Sequence, residues 1–232
     1  MYIQELTLQT DNLDAQATFY RDILRLPVEL AADRLQVTVG RSRLVFSHKT
    51  GWRGAYHFAF DVPENQLAAA SGWLTERTNL IELNGQSRFH SDGWNADMIY
   101  FRDAAGNILE LIARHHQANA TTHSFSERDL LAITEIGLGT RDVRSMVGHL
   151  MSELGVRTYD GGGSSSFSAV GDEHGLFIVV HHEREWYPQT GQRGELHPVT
   201  VRLGQPNALV QVDNGVLRIN QRATANPIFE VI

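Results

Sequence analysis

The sequence has no cysteine among its 232 residues, which excludes disulfide bonds, thiolate zinc sites and cysteine-ligated iron–sulfur clusters. It also has no apolar run approaching the roughly 20 residues that a membrane-spanning helix needs. Positive charge is in deficit, since the formal net charge is −7 at pH 7. This deficit argues against nucleic acid or an anionic membrane as the main partner. No basic segment followed by an apolar one opens the chain, so cytoplasmic residence is the expectation.

The most informative stretch is 98–114, MIYFRDAAGNILELIAR, which predicts two strands around a tight turn. Side chains alternate between the two faces of a strand. Tyr100 therefore shares its face with Met98, and Glu110 shares its face with two isoleucines. Glu110 is a carboxylate in an apolar strand, and such a group is costly to bury unless it is paired, protonated or bound to a metal.

An internal repeat organises the chain. The segment ITEIGLGTRDV (133–143) matches IQELTLQTDNL (3–13), and each half predicts two strand–helix–strand–strand–strand units. We therefore expect the α+β class, with four tandem βαβββ units forming two curved, cavity-enclosing mixed sheets. The fourth unit is degenerate, because 204–224 has turn and strand patterns where a helix should be.

The segment 116–131 is mostly polar or small and breaks the periodicity, which predicts a linker. The expected domains are a first paired βαβββ domain at 1–115, which carries the active site, and a second at 132–232.

Glu5, His57 and Glu110 fall mid-strand at matching places in the repeat units. In AYHFAFDV (55–62) the aromatic residues occupy one face, while His57 shares the other with small or polar groups. A histidine and two carboxylates converging in a cavity can bind a divalent metal and leave positions open for substrate. The alternatives are a satisfied core or surface histidine and a glutamate on a solvated edge strand.

The segments FYRDILRLPVE, YHFAFDVP and FRDAAGNILELIAR resemble the vicinal-oxygen-chelate superfamily. This group contains glyoxalase I, fosfomycin- and bleomycin-resistance proteins and extradiol ring-cleaving dioxygenases. Four tandem units in one chain is the arrangement of the extradiol dioxygenases. The resemblance implies Fe(II) or Mn(II) as the favoured metal, with Zn or Ni as alternatives. It implies the metal ligands Glu5, His57 and Glu110, and a second-half pseudo-site of Glu135, His197 and Glu230.

The extradiol signature is matched in the spacing from Tyr100 to Glu110, whereas Ala104 replaces its proline and His90 lies farther away than the signature allows. The resemblance implies that Tyr100 and His90 are catalytic residues. Trp94 and Asn95 lie in the loop beside them and are candidates for holding a planar or oxygenated substrate. For Trp94, the alternative is a packing anchor under the sheet.

The expected function is that of a metal-dependent, extradiol dioxygenase-like enzyme that chelates neighbouring oxygens of a small-molecule substrate. One alternative is a glyoxalase-like lyase or isomerase. Another is a metal-free protein that binds a drug or antibiotic, in which case Glu110 would be hydrogen-bonded or paired with an arginine. A homodimer is possible, because two-unit relatives build their sites across dimer interfaces.

Overall fold

Two mixed β-sheets and three helices make up the computed structural model, which describes residues 1–204 and 206–221. The strands, in chain order, are β1 (Ile3–Thr10), β2 (Val28–Leu30), β3 (Arg34–Val39), β4 (Ser42–His48), β5 (His57–Asp61), β6 (Phe89–Ser91), β7 (Ala96–Arg102), β8 (Ile108–Arg114), β9 (Ala132–Thr140), β10 (Thr158–Gly163), β11 (Phe167–Asp172), β12 (Gly175–His181), β13 (Val199–Leu203), β14 (Ala208–Asp213) and β15 (Val216–Gln221).

Sheet A has seven strands in the order β15-β14-β13-β1-β4-β3-β2, and sheet B has eight in the order β10-β11-β12-β9-β5-β8-β7-β6. Parallel pairs (β1 with β4, β5 with β8, β9 with β12) lie among antiparallel ones. This confirms the predicted α+β class with two curved mixed sheets.

The units pair across the sequence in a way that the repeat alone did not predict. The units are joined by antiparallel pairing between their first strands: β1 pairs with β13, and β5 pairs with β9. Sheet A therefore combines the first and fourth units, and sheet B combines the second and third. We had expected the first unit to pair with the second, and the third with the fourth. The domain boundaries drawn at 116–131 stay a prediction.

Two of the three α-helices begin at a polar side chain that caps them. In α1 (Leu13–Thr18) the Asn12 side chain accepts a hydrogen bond from the Ala15 amide at 2.9 Å, and a π-helical turn (Phe19–Ile23) follows. Helix α2 spans Leu67–Thr75. Helix α3 (Val143–Leu154) has the bounds that the helical spacing of Val143, Val147, Leu150 and Leu154 predicts. It ends at Gly155, which adopts the left-handed conformation that favours glycine. None of the described helices has the length and apolarity to cross a membrane.

Several local elements differ from expectation. The sequence predicts a weak strand at 81–83, which is absent from the described strands, although the Ile81 amide donates to the Tyr100 carbonyl at 2.7 Å. The sequence also predicts a loop at 84–93, but this stretch contains β6, and a short 3-10 turn (Glu127–Asp129) lies within 116–131. In the fourth unit 208–221 form β14 and β15 without a helix, as predicted. The segment PIFEVI (227–232) predicts a final strand, and it lies outside the described residues.

Side-chain alternation divides the core of sheet B between its two faces. Ile99 and Phe101 belong to the large core that both sheets share, whereas Met98 and Tyr100 belong to a smaller cluster on the opposite face. Every residue of β9 is buried, while β1 alternates between buried and partly exposed residues. Sheet B is therefore covered on both faces at its centre, and sheet A on one.

Candidate metal centre

Three adjacent central strands of sheet B bring a histidine and two glutamates together. His57 lies on β5, Glu110 on β8 and Glu135 on β9, and all three are buried. One potential ligand atom from each lies within 4.8 Å of the others. Ala59 pairs with Glu110 on one side and with Glu135 on the other. Because its side chain is a single methyl group, the two carboxylates can converge over it.

His57 presents one ring nitrogen to the site. Its Nδ1 lies 3.2 Å from the Ile108 carbonyl oxygen, and its Nε2 lies 3.5 Å from Glu110 Oε2. A proton on Nδ1, donated to the carbonyl, leaves the lone pair of Nε2 free for a metal. Burial lowers the pKa of His57 to about 4, with a smaller contribution from the positive charge of Arg184. The imidazole is thus neutral at pH 7, as a metal ligand must be.

Glu135 is held by Arg114, which lies on the same face of sheet B as Glu110 and whose side chain is fully buried. The Arg114 guanidinium donates to Glu135 Oε1 and also to Asp61. Asp61 in turn accepts a hydrogen bond from Thr134 Oγ1 at 3.0 Å. Burial raises the pKa of Glu135 to about 7, although Arg114 opposes the rise. The bond from Arg114 occupies one carboxylate oxygen and leaves the second available to a metal.

Glu110 has no equivalent cation beside it. Burial raises the pKa of Glu110 well above its usual range, the negative charge of Glu135 adds to the rise, and Arg114 opposes it. Tyr100 stands directly opposite Glu110 in the β7–β8 pair. Burial and these carboxylates also raise the pKa of Tyr100. Without a metal the site therefore favours the protonated form of Glu110, whereas a bound cation would favour its carboxylate.

The register shows a pseudo-twofold arrangement. Glu110 pairs with Ala59, two residues after His57, and Ile178 pairs with Gly137, two residues after Glu135. Ile178 thus occupies the position in the third unit that Glu110 occupies in the second. The described cavity wall includes Ile178, so this arrangement offers three ligands and one apolar position.

The three ligands face a cavity of about 420 Å³ on sheet B. The segment 182–198, between β12 and β13, covers this cavity and places the Trp186 ring 4.8 Å from the His57 ring. Glycines in β9 permit the close approach: a Cβ at Gly137 would lie 2.5 Å from Trp186, and one at Gly139 would lie 1.9 Å from the Gly194 carbonyl oxygen. The cavity is lined by His57, Phe89, His90, Ser91, Trp94, Met98, Tyr100, Glu110, Glu135, Phe167, Ile178, Arg184, Trp186 and Tyr187.

Three of the four predicted catalytic and substrate-binding residues line this cavity: Tyr100, His90 and Trp94. His90 lies half-exposed, 2.7 Å from Asp97, and this hydrogen bond raises its pKa. Trp94 packs edge-on against Tyr159, with ring centroids 5.4 Å apart. Asn95, the fourth, occupies the turn between β6 and β7 with a φ of 44°, and the described cavity wall does not include it.

Glu5 does not join His57 and Glu110. It lies in sheet A, where Arg43 Nε is 3.4 Å and Arg202 Nε 4.0 Å from its carboxylate. The prediction that Glu5 joins His57 and Glu110 is wrong, because the second unit shares its sheet with the third rather than the first. Glu135 takes its place in the group that could hold a metal ion.

The predicted pseudo-site is not assembled either. His197 precedes β13 and lies 2.9 Å from Glu195 and edge-on to Trp52, while Glu135 belongs to the site in sheet B. Glu230 falls outside the described residues. A sequence signal for Glu135 did exist: its strand AITEIGLGT is otherwise apolar, small or hydroxylated, whereas the strand of Glu5 also carries two glutamines. Arg184, Trp186 and Tyr187 lie in an aperiodic segment that gave no such signal.

Comparisons with known proteins support the fold. No protein-family model matches the sequence, and the comparison with curated proteins finds no relative. Among solved structures, a variant of glyoxalase I from Zea mays matches with a TM-score of 0.56 and 12% identity, over 94% of this chain and 91% of that one. A Bacillus subtilis protein with a provisional dioxygenase name matches with a TM-score of 0.55 and 17% identity, over 78% of this chain and 63% of that one.

The chain therefore has the fold of the vicinal-oxygen-chelate superfamily, as the sequence resemblance predicted. At these identities the likeness concerns the fold. The chemistry has to be argued from the centre formed by His57, Glu110 and Glu135.

Proposed function

We propose that the chain is a metal-dependent enzyme of the vicinal-oxygen-chelate type, with His57, Glu110 and Glu135 as the metal ligands. The observation that carries this proposal is the convergence of their three ligand atoms, all within 4.8 Å of one another, in a buried cavity. An imidazole nitrogen with two carboxylates is a donor set that suits Mn(II), Fe(II), Zn(II) or Ni(II). When bound, such an ion would supply a Lewis acid for two neighbouring oxygens of a small substrate.

The residues around the site favour proton transfer, as in a glyoxalase-like lyase or isomerase. A general base works best when its pKa lies near the working pH. Burial moves the pKa of Glu135 and of Glu110 upward, toward or beyond that range. In this proposal the carboxylate of Glu110, when it is not engaged as a ligand, takes a proton from the carbon next to a substrate oxygen and returns it to the neighbouring carbon. Trp186, over the site, excludes water from the exchange.

Extradiol dioxygenase activity is the second candidate. It is supported by the position of His90 and Tyr100 on the wall of the same cavity, where they could exchange protons with a catecholic substrate. The donor set argues the other way, because a second carboxylate replaces the histidine that the resemblance implies for a dioxygenase. That carboxylate adds negative charge to the centre.

Metal-free binding is the less favoured reading. It predicts that Glu110 is hydrogen-bonded or paired with an arginine. The buried Arg114 bonds to Glu135 and Asp61 instead, while a hydrogen bond between Tyr100 and Glu110 is compatible with it.

Two assays on metal-loaded protein separate these functions. Exchange of the carbon-bound hydrogens of 2-hydroxyacetophenone in D₂O, followed by NMR, is expected with wild type and is expected to be lost in Glu110→Gln. Oxygen uptake with catechol after anaerobic Fe(II) loading would indicate the dioxygenase. Failure of the purified protein to take up any of the four metals would overturn the proposal as a whole.

A further inference from the structure

Arg184 is the one arginine or lysine on the described cavity wall, and no described carboxylate lies within 4.0 Å of its guanidinium. The guanidinium stacks over the Phe167 ring at 4.8 Å from its centroid. Partial burial lowers its pKa from the usual range. A partly desolvated cation without a counter-ion is unfavourable, because it has lost part of its hydration without gaining a partner.

The cavity carboxylates do not supply that partner. Arg114, which lies further along β8 on the same face as Glu110, is the cation that bonds to Glu135 and the one that opposes the raised pKa of Glu110. Arg184 lines the same cavity as His57, Glu110 and Glu135. A molecule in this cavity can therefore meet the guanidinium and the candidate metal ligands together.

Much of the remaining wall is apolar and aromatic. It includes Phe89, Met98, Ile178 and Trp186, and these side chains suit a flat, weakly polar body. A volume of about 420 Å³ accommodates a compact molecule of one ring with substituents. The cavity therefore combines a group of candidate metal ligands, an apolar surface and one cation.

We propose that Arg184 binds an anionic group of the substrate, so that the substrate class is an aromatic or unsaturated acid that carries vicinal oxygens. The chelating half of this statement rests on the proposed function, while the anion-binding half rests on Arg184 alone. An arginine suits the task because its planar guanidinium can donate two parallel hydrogen bonds to a carboxylate.

The test compares 3,4-dihydroxybenzoate with 3,4-dihydroxybenzamide on Mn(II)-loaded protein by calorimetry. The two differ chiefly in charge. We expect wild type to prefer the carboxylate by about tenfold or more, the usual value of a charge-assisted hydrogen bond. Arg184→Gln should remove this preference and leave the affinity for the amide unchanged. Arg193→Gln is the matched control, since Arg193 is exposed on the same segment and outside the cavity wall. Equal affinities in wild type, or a preference that survives in Arg184→Gln, would overturn the assignment.

A second pair of compounds, tested without metal, distinguishes failure of this inference from failure of the proposed function. If Mn(II) is not taken up, the proposed function fails, and benzoate against benzamide then tests Arg184 by itself. A preference for benzoate that Arg184→Gln removes supports the anion site. No preference for benzoate rules the anion site out.

Discussion

Glu5 and Glu135 occupy the same place in the repeat but stand in different surroundings. Glu135 is buried under a covered face of sheet B, while the Glu5 side chain in sheet A keeps 24% of its surface exposed. The small residue Ala59 pairs with Glu135, whereas Arg202 and Arg43 pair with Glu5. A carboxylate beside small neighbours can turn toward a shared centre, while one between arginines is neutralised on the surface.

A second local feature explains why the segment 182–198 can cover sheet B at the site. Gly137 and Gly139 follow Glu135 on the cavity face, and the segment 182–198 lies against them. The corresponding residues of sheet A are Thr7 and Gln9, which carry larger side chains and are partly exposed. The neighbours of the repeated glutamate, and not the glutamate itself, therefore determine which sheet forms a closed site.

The largest expected difference between the sheets is in the free energy of unfolding. Arg114→Met should destabilise the protein by about 3–5 kcal/mol, because it leaves Asp61 and Glu135 buried without their cation. Arg43→Met is the control in sheet A and should cost about 0–1 kcal/mol, since its ion pair with Glu5 is partly exposed. Urea denaturation measures both. Similar losses would mean that the two networks are equivalent.

The packing of the segment 182–198 over sheet B can be tested at Gly137. Gly137→Ala places a methyl group 2.5 Å from Trp186, so we expect about 1–3 kcal/mol of destabilisation through overpacking and displacement of Trp186 toward solvent. Acrylamide quenching should therefore increase, and the increase should vanish when Trp186→Phe is added. Thr7→Ala in sheet A should cost less than about 1 kcal/mol. Unchanged quenching in Gly137→Ala would show that the segment does not rest on this glycine.

The third prediction concerns pH. Because the pKa of Glu110 is raised in the folded protein, the folded state holds a proton that the unfolded state releases as pH rises. Stability of the metal-free protein is therefore lost as pH rises toward the folded pKa, by up to about 1.4 kcal/mol per pH unit. Glu110→Gln should lack this loss, so its stability relative to wild type should grow between pH 5 and 8. Parallel stability profiles for the two proteins would contradict a protonated, buried Glu110.

Much of this arrangement follows from local sequence. The bounds of α3, the turn between β7 and β8 and the faces of Tyr100 and Glu110 follow from periodicity and alternation, which are local properties. His57 and Glu110 were identified as members of one site. The sequence does not indicate the third candidate ligand, because its identity depends on which first strands pair. Tertiary contacts between units distant in sequence determine that pairing. Arg184 and Trp186 lie in an aperiodic segment, whose position over sheet B depends on glycines in another strand.

The central claim is that Glu135, and not Glu5, completes the metal centre with His57 and Glu110. Titration with Mn(II), with free ion measured by electron paramagnetic resonance, tests it on wild type, Glu135→Gln and Glu5→Gln. We expect Glu135→Gln to lose about 100-fold or more in affinity, since residues that only orient metal ligands typically contribute about 10–100-fold. Glu5→Gln should bind Mn(II) as wild type does. An equal loss in both variants, or a loss in Glu5→Gln alone, would contradict the account.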